Sequence, residues 1–201
     1  MKKRMIIMAL VIASVFAFMA GSSQASILLT DNFDGENGGV GSLNYNSFAN
    51  WNVTGGTVDL IGNGYFEFYP GNGLYVDLDG STNQPGLFAS NTVFSPGEYL
   101  IQFTLGGSVV DVNTSEIVTV KLGNTTLGTL TLPWTQPLTQ YSFLVTTATG
   151  GSLSFQNNGN DNMGAILTDV KVSSVPIPPT AYLFVTGLVG LYGIGRRRFK
   201  K

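Results

Sequence analysis

Twelve carboxylates, eight tyrosines and two tryptophans are set against a complete absence of histidine and cysteine in this 201-residue chain. Without histidine there is no Ser–His–Asp triad, imidazole base or histidine metal site. Without cysteine there is no thiolate nucleophile, zinc–thiolate site or disulfide framework. A glycosidase needs two carboxylates flanking one bond. Glu67, Glu98, Glu116 and the aspartates supply the types, but no spacing singles out a pair. The expectation is therefore no catalytic residue and no enzyme. What remains is recognition, in which an aromatic face serves as a stacking platform with a few polar orienting groups. Trp134 lies in Leu132-Pro133-Trp134-Thr135-Gln136-Pro137, a proline-bracketed segment expected to be loop. With Tyr65 and Tyr69 it is the candidate glycan platform. The stretch Tyr65, Phe66, Phe68, Tyr69 and Tyr75 reads equally as a platform or as half of a core. Trp51, in mid-strand, reads as core.

The elements that must position these residues are strands. Glycine is 26 of 201 residues and charged residues only 11%, a turn-rich all-β composition. Tyr99, Ile101, Phe103 and Leu105 alternate with Leu100, Gln102 and Thr104, giving one apolar face. The same alternation marks 118–122, 141–145, 153–155 and 166–172. Further strands are expected at 27–33, 48–53, 57–61, 65–68, 74–78, 87–90 and 126–132. Glycine- and asparagine-rich breaks such as Gly62-Asn63-Gly64 and Gly71-Asn72-Gly73 supply the turns. Asp77 and Asp79 read as a turn-stabilising pair. No soluble helix and no fixed-period repeat is evident, so the expectation is a β-sandwich over 26–174.

Charge is partitioned. Two lysines, Lys121 and Lys171, face all twelve carboxylates in the middle, a formal −10, while both ends are basic. A middle that acidic excludes nucleic-acid binding by phosphate neutralisation. Residues 1–25 read as a secretory signal peptide. Lys2, Lys3 and Arg4 precede an apolar stretch, and Ser23-Gln24-Ala25 places cleavage between Ala25 and Ser26. Signal peptidase is thus an expected partner. The other end is tripartite. A proline motif at 175–180 is followed by an uncharged run at 181–195 and a basic tail at 196–201. From Thr180 the run reaches about 24 Å as a helix, short for a hydrocarbon core of about 30 Å. The positive-inside rule leaves the tail cytoplasmic and the acidic domain exported.

That tripartite end resembles the PEP-CTERM sorting signal of Gram-negative bacteria. Val175, Pro176, Ile177, Pro178 and Pro179, with Arg196, Arg197 and Arg198 beyond the helix, look like the variant with an apolar residue in place of glutamate. The resemblance implies recognition by exosortase, transient anchoring in the inner membrane, and delivery to the envelope or extracellular matrix. It also implies an association with exopolysaccharide.

Phrases in the middle resemble the galactose-binding-like jelly rolls of bacterial carbohydrate-binding modules. They are Asp31-Asn32-Phe33-Asp34 with Trp51, Val76-Asp77-Leu78-Asp79-Gly80-Ser81, Phe94-Ser95-Pro96-Gly97-Glu98-Tyr99, and Gly164 to Val172. In that fold the first and last strands often adjoin, which implies a structural calcium site at Asp31, Asp34 and Asp169. Thr168 stands where the family more often has a second carboxylate. No other cofactor is expected. The leading expectation is a structural or adhesive envelope protein associated with extracellular polysaccharide. The alternatives are a carbohydrate-binding module of defined glycan specificity and, third, a polysaccharide-acting enzyme.

Overall fold

A computed structural model describes residues 24–159 and 161–176. Within them Ser26–Ser174 form one compact unit, an all-β sandwich of two antiparallel sheets. The strands are β1 (Ile27–Asp31), β2 (Trp51–Thr54), β3 (Asp59–Gly62), β4 (Leu74–Asp77), β5 (Leu87–Phe94), β6 (Gly97–Gly106), β7 (Ser115–Leu122), β8 (Thr125–Pro133), β9 (Thr139–Thr147), β10 (Gly151–Asn157) and β11 (Ile166–Ser174). One sheet runs β3-β4-β11-β6-β9, and the other runs β2-β5-β10-β7-β8. β1 also pairs with β11, along Val170–Ser173, while β4 takes up the same strand at Ile166–Leu167. The chain opening and the Leu74–Asp77 strand therefore meet beside the closing strand.

Alternation explains the sandwich. On β6, Tyr99, Ile101, Phe103 and Leu105 are buried, and Leu100, Gln102 and Thr104 between them are half-exposed. β7 and β10 repeat the pattern on the facing sheet. The core is aromatic at its centre. Trp51 stacks on Phe88 at 4.6 Å and 11°, and Phe155 meets Phe103 edge-on at 5.1 Å. Each such fully buried side chain contributes roughly 1.5–3 kcal/mol relative to exposure. Asp31 locks the opening strand to this core. Its Oδ2 accepts from Trp51 Nε1 at 2.9 Å and Asn50 Nδ2 at 3.0 Å, while Oδ1 accepts from Phe33 N at 2.9 Å.

Several sequence expectations need correction: the strand expected at 48–53 begins only at Trp51, and the one expected at 27–33 ends at Asp31, ahead of Phe33 with its φ of 63°. Residues 65–68 are not a strand. Asn63, Gly64 and Phe66 have φ of 52°, 87° and 47°, and left-handed residues cannot extend, so 63–73 is a looped excursion. The strand expected at 57–61 begins two residues later, because Thr57 turns to bond Gln84 and Gly80. Among the described residues there is no α-helix, only a 3-10 turn at Glu36–Gly39. None of those residues forms a helix long and apolar enough to cross a membrane. The signal peptide and sorting signal lie outside the described residues, except for 24–25 and 175–176.

The direction of β11 fixes the two ends of the sandwich. At its start Ile166 pairs with Asp77 and Gly106, and loops 78–86, 107–114 and 134–138 gather there. At its finish Ser174 N donates to Ser26 O at 2.9 Å, so the unit's first and last residues sit together.

Candidate functional site

The 63–73 excursion folds over the outer face of the β3-β4-β11 sheet. Phe68, Tyr69 and Leu138 cover a small second core of Ile61, Tyr75 and Ile166. Beside this cover is a cleft of about 320 Å³, predominantly apolar. Phe66, Phe68, Asn162 and Met163 line it together with the buried carboxylates Asp59 and Asp77. Phe66 is 53% exposed. Its left-handed backbone is strained for a bulky residue, at a cost on the order of 1 kcal/mol. Tyr65, 37% exposed, backs it edge-on at 4.9 Å.

The two carboxylates differ. Asp59 is held by three donors, Asn44 N and Ser81 N on Oδ1 and Ser81 Oγ on Oδ2. Asp77 Oδ1 accepts from Asp79 N at 3.0 Å and Gly164 N at 2.7 Å, the turn bond expected of the pair. Burial pushes the Asp77 carboxyl well above the usual carboxylate range, and the neighbouring Asp59 and Asp79 add to it. An aromatic lining with a carboxyl and an amide suits a polyhydroxylated ring.

The structure gives the expected platform residues separate roles. None of Trp134, Tyr65 and Tyr69 is a wall of the cleft. Tyr69 is a tie: its Oη lies 2.8 Å from both Gly107 O and Gln136 O. Burial, followed by the nearby Tyr75, pushes its phenol up to about 12, so it remains a donor. Trp134 is half-buried in the β8–β9 turn, its N–H on Thr114 O and its carbonyl taking Val109 N. Phe66 and Phe68 line the cleft, and for them the only sequence signal was the aromatic run itself. Ser81 entered only as the end of the Val76–Ser81 phrase, and Asp59, Asn162 and Met163 carried no signal.

Asp31 and Asp169 line one shallow polar groove with Gln102, Gln140 and Lys171. Asp34 does not join them. Its Oδ1 accepts from Leu74 N at 2.9 Å and its Oδ2 from Asn32 Nδ2 at 2.7 Å. The closeness of Asp34 Oδ1 to Gly73, which has φ 70°, leaves no room there for a Cβ. Asp169 takes the Thr168 hydroxyl at 3.0 Å. Among the described residues no group of three metal-ligating side chains converges, at this place or elsewhere.

No protein-family model and no curated protein matches the sequence. Solved structures do match it. The K3 cleaved adhesin domain of Lys-gingipain from Porphyromonas gingivalis aligns with a TM-score of 0.53 at 17% identity, over 76% of this chain and 100% of that one. The K1 domain of the same protein gives 0.52 at 12%, over 76% and 99%. The CBM22-1 xylan-binding domain of Paenibacillus barcinonensis Xyn10C gives 0.48 at 15%, over 78% and 99%. The likeness to the two adhesin domains is one of fold, the two-sheet sandwich.

Proposed function

We propose that this chain is an exported, non-catalytic carbohydrate-binding module of the galactose-binding jelly-roll type. It takes a polysaccharide into the cleft walled by Phe66 and Phe68. The observation that carries this is Phe66 itself, a large aromatic held half-exposed in a strained conformation at the lip of a cleft. Packing does not require it there, and a stacking platform does. The cleft favours defined binding over a purely structural role in the matrix. Binding without hydrolysis fits Asp59, whose oxygens already serve Asn44 and Ser81. The ends complete the reading. Residues 1–25 act as a signal peptide, and 175–201 as an exosortase signal that passes the protein through the inner membrane of a Gram-negative cell to its envelope or matrix.

Affinity electrophoresis of the full chain through gels containing defined polysaccharides tests the cleft. Retardation by at least one polysaccharide, lost in Phe66→Gly with an unchanged or higher melting temperature, is expected. Equal retardation of wild type and variant, or no retardation across the panel, refutes it. The intact mass of the mature protein with and without the host's exosortase tests the sorting. A mass ending near 175–180 that depends on the exosortase is expected, and one that still includes Lys201 refutes it.

A further inference from the structure

The strands that end the two sheets are not finished alike. β2 and β3 are four residues each. The free side of β3 is taken up by Ser42, which exchanges two backbone hydrogen bonds with Leu60, at 2.7 and 3.0 Å. β8 and β9 end the same sheets with nine residues each. β8 is bent by a register shift opposite Val120 and Lys121, and it finishes in Pro133. β9 has no such device. It holds β6 in unbroken register from Gly97–Thr147 to Leu105–Thr139, and among the described residues no strand lies on its other side. A long, flat edge presents a row of unpaired N–H and C=O groups, which proteins ordinarily blunt with charge, proline or a bulge. Thr139–Thr147 contains no charged residue and no proline.

Charge and packing single out the same edge. Residues 122–160 hold no charged side chain, so β8, β9 and β10 are neutral within a domain of formal −10. Inward-facing Tyr141 and Phe143 on β9 stack on the buried Phe103, each at 5.8 Å and at 22° and 13°. They are nevertheless only half-buried, as are Leu127 and Leu130 on β8, whereas Val118, Val120, Leu153 and Phe155 on the strands further in are fully buried. The core therefore lies partly open along this edge. On the outer face of β9, Leu144 is 66% exposed.

We propose that β9 is the interface of a homodimer, in which two copies pair their β9 strands antiparallel about a two-fold axis. The pairing satisfies the free backbone row and covers Tyr141 and Phe143. The occupant is a second copy because two chains of like charge meet with least repulsion where neither carries any, and a strongly basic partner would be drawn to the acidic surfaces instead. A two-fold contact uses the same strand on both subunits, so assembly closes at two. The covered edge of β3 offers no route to a longer sheet. This interface does not depend on what the aromatic cleft binds.

Sedimentation of the full chain in mild non-ionic detergent, over a range of concentration, tests the proposal. A dimer is expected that tightens as salt rises from about 0.05 to 0.5 M, because screening relieves repulsion between the acidic copies. Leu144→Lys sets like charges against each other across the strand pair and should weaken the dimer about tenfold or more. Val93→Lys, at a 71% exposed position on β5, adds the same charge elsewhere and should leave the dimer unchanged. Amide hydrogen exchange along β9 should slow with rising concentration, while that along β2 should not. A chain that stays monomeric up to about 1 mM overturns the proposal. So does a dimer that loosens with salt, one that Leu144→Lys leaves intact, or one that forms without slowing exchange in β9, since the contact would then lie at the chain ends or on another face.

Discussion

Replacing Asp31 by alanine tests whether that carboxylate anchors the core or waits for an ion. It accepts three hydrogen bonds, and the variant leaves all three donors without it. Asn50 is half-exposed and can turn to water, so its loss counts for little. Trp51 is 1% exposed and Phe33 is 0% exposed, so neither the indole N–H nor the Phe33 amide has that recourse. Two orphaned buried donors at about 1–3 kcal/mol each put the loss near 4 kcal/mol. In a domain of this size that is a fall of about 8–16 °C in melting temperature. An ordinary surface aspartate changes stability by no more than about 0.5 kcal/mol. Calorimetry with and without chelator is the assay, with near-UV circular dichroism reporting the Trp51–Phe88 stack. The loss should be the same in both conditions. A loss under about 0.5 kcal/mol refutes the anchoring argument. So does one that appears only when calcium is present, because Asp31 would then be an ion ligand.

Two further outcomes follow from hydrogen bonding and charge at the loop end. Asp79 keeps its proton more tightly folded than unfolded. Its contribution to stability is therefore present below about pH 4 and lost as pH rises through about 7. The Asp79→Asn variant should match wild type at pH 4 and gain with pH, by no more than about 4 kcal/mol at pH 8. A wild-type-to-variant difference that does not change with pH contradicts it. Tyr69→Phe removes the tie to Gly107 and Gln136 and should cost about 0.5–1.5 kcal/mol. Hydrogen exchange should quicken at the Gly107 amide, which bonds Gln136 O, and leave the centre of β6 unchanged.

The sandwich could be read from the sequence because its signal is local. β6 alternates strictly over Tyr99 to Leu105, and the facing strands do the same, so period two was enough to place one face inward. The 65–68 excursion defeated that reading because its aromatics also alternate. Only the left-handed conformation of Phe66, invisible in composition, turns them into a lid and a cleft wall. The cleft was harder still. Asp59, Asp77, Ser81, Asn162 and Met163 come from four stretches of chain that meet only once β3, β4 and the loop before β11 are assembled. Asp31, Asp34 and Asp169 show the reverse failure. The topology does bring β1 beside β11, but each carboxylate finds its own donors first. Asp77 and Asp79 read as one turn motif and both are buried, but one oxygen of Asp77 accepts two backbone amides, Asp79 N and Gly164 N, and Asp79 accepts none.

The pairing of Ser26 with Ser174 has a mechanical consequence. A tether at either terminus pulls on the same end of the sandwich, while the cleft and the acidic loops lie toward the other, roughly 27 Å along β11. If the cleft grips a polymer and the tail is held, tension runs lengthwise down β11. That strand is flanked by β6 on one side and by β1 and β4 on the other, so its bonds on both flanks share the load in shear. Strands pulled in shear resist until many bonds fail together, whereas strands peeled from an edge unzip bond by bond.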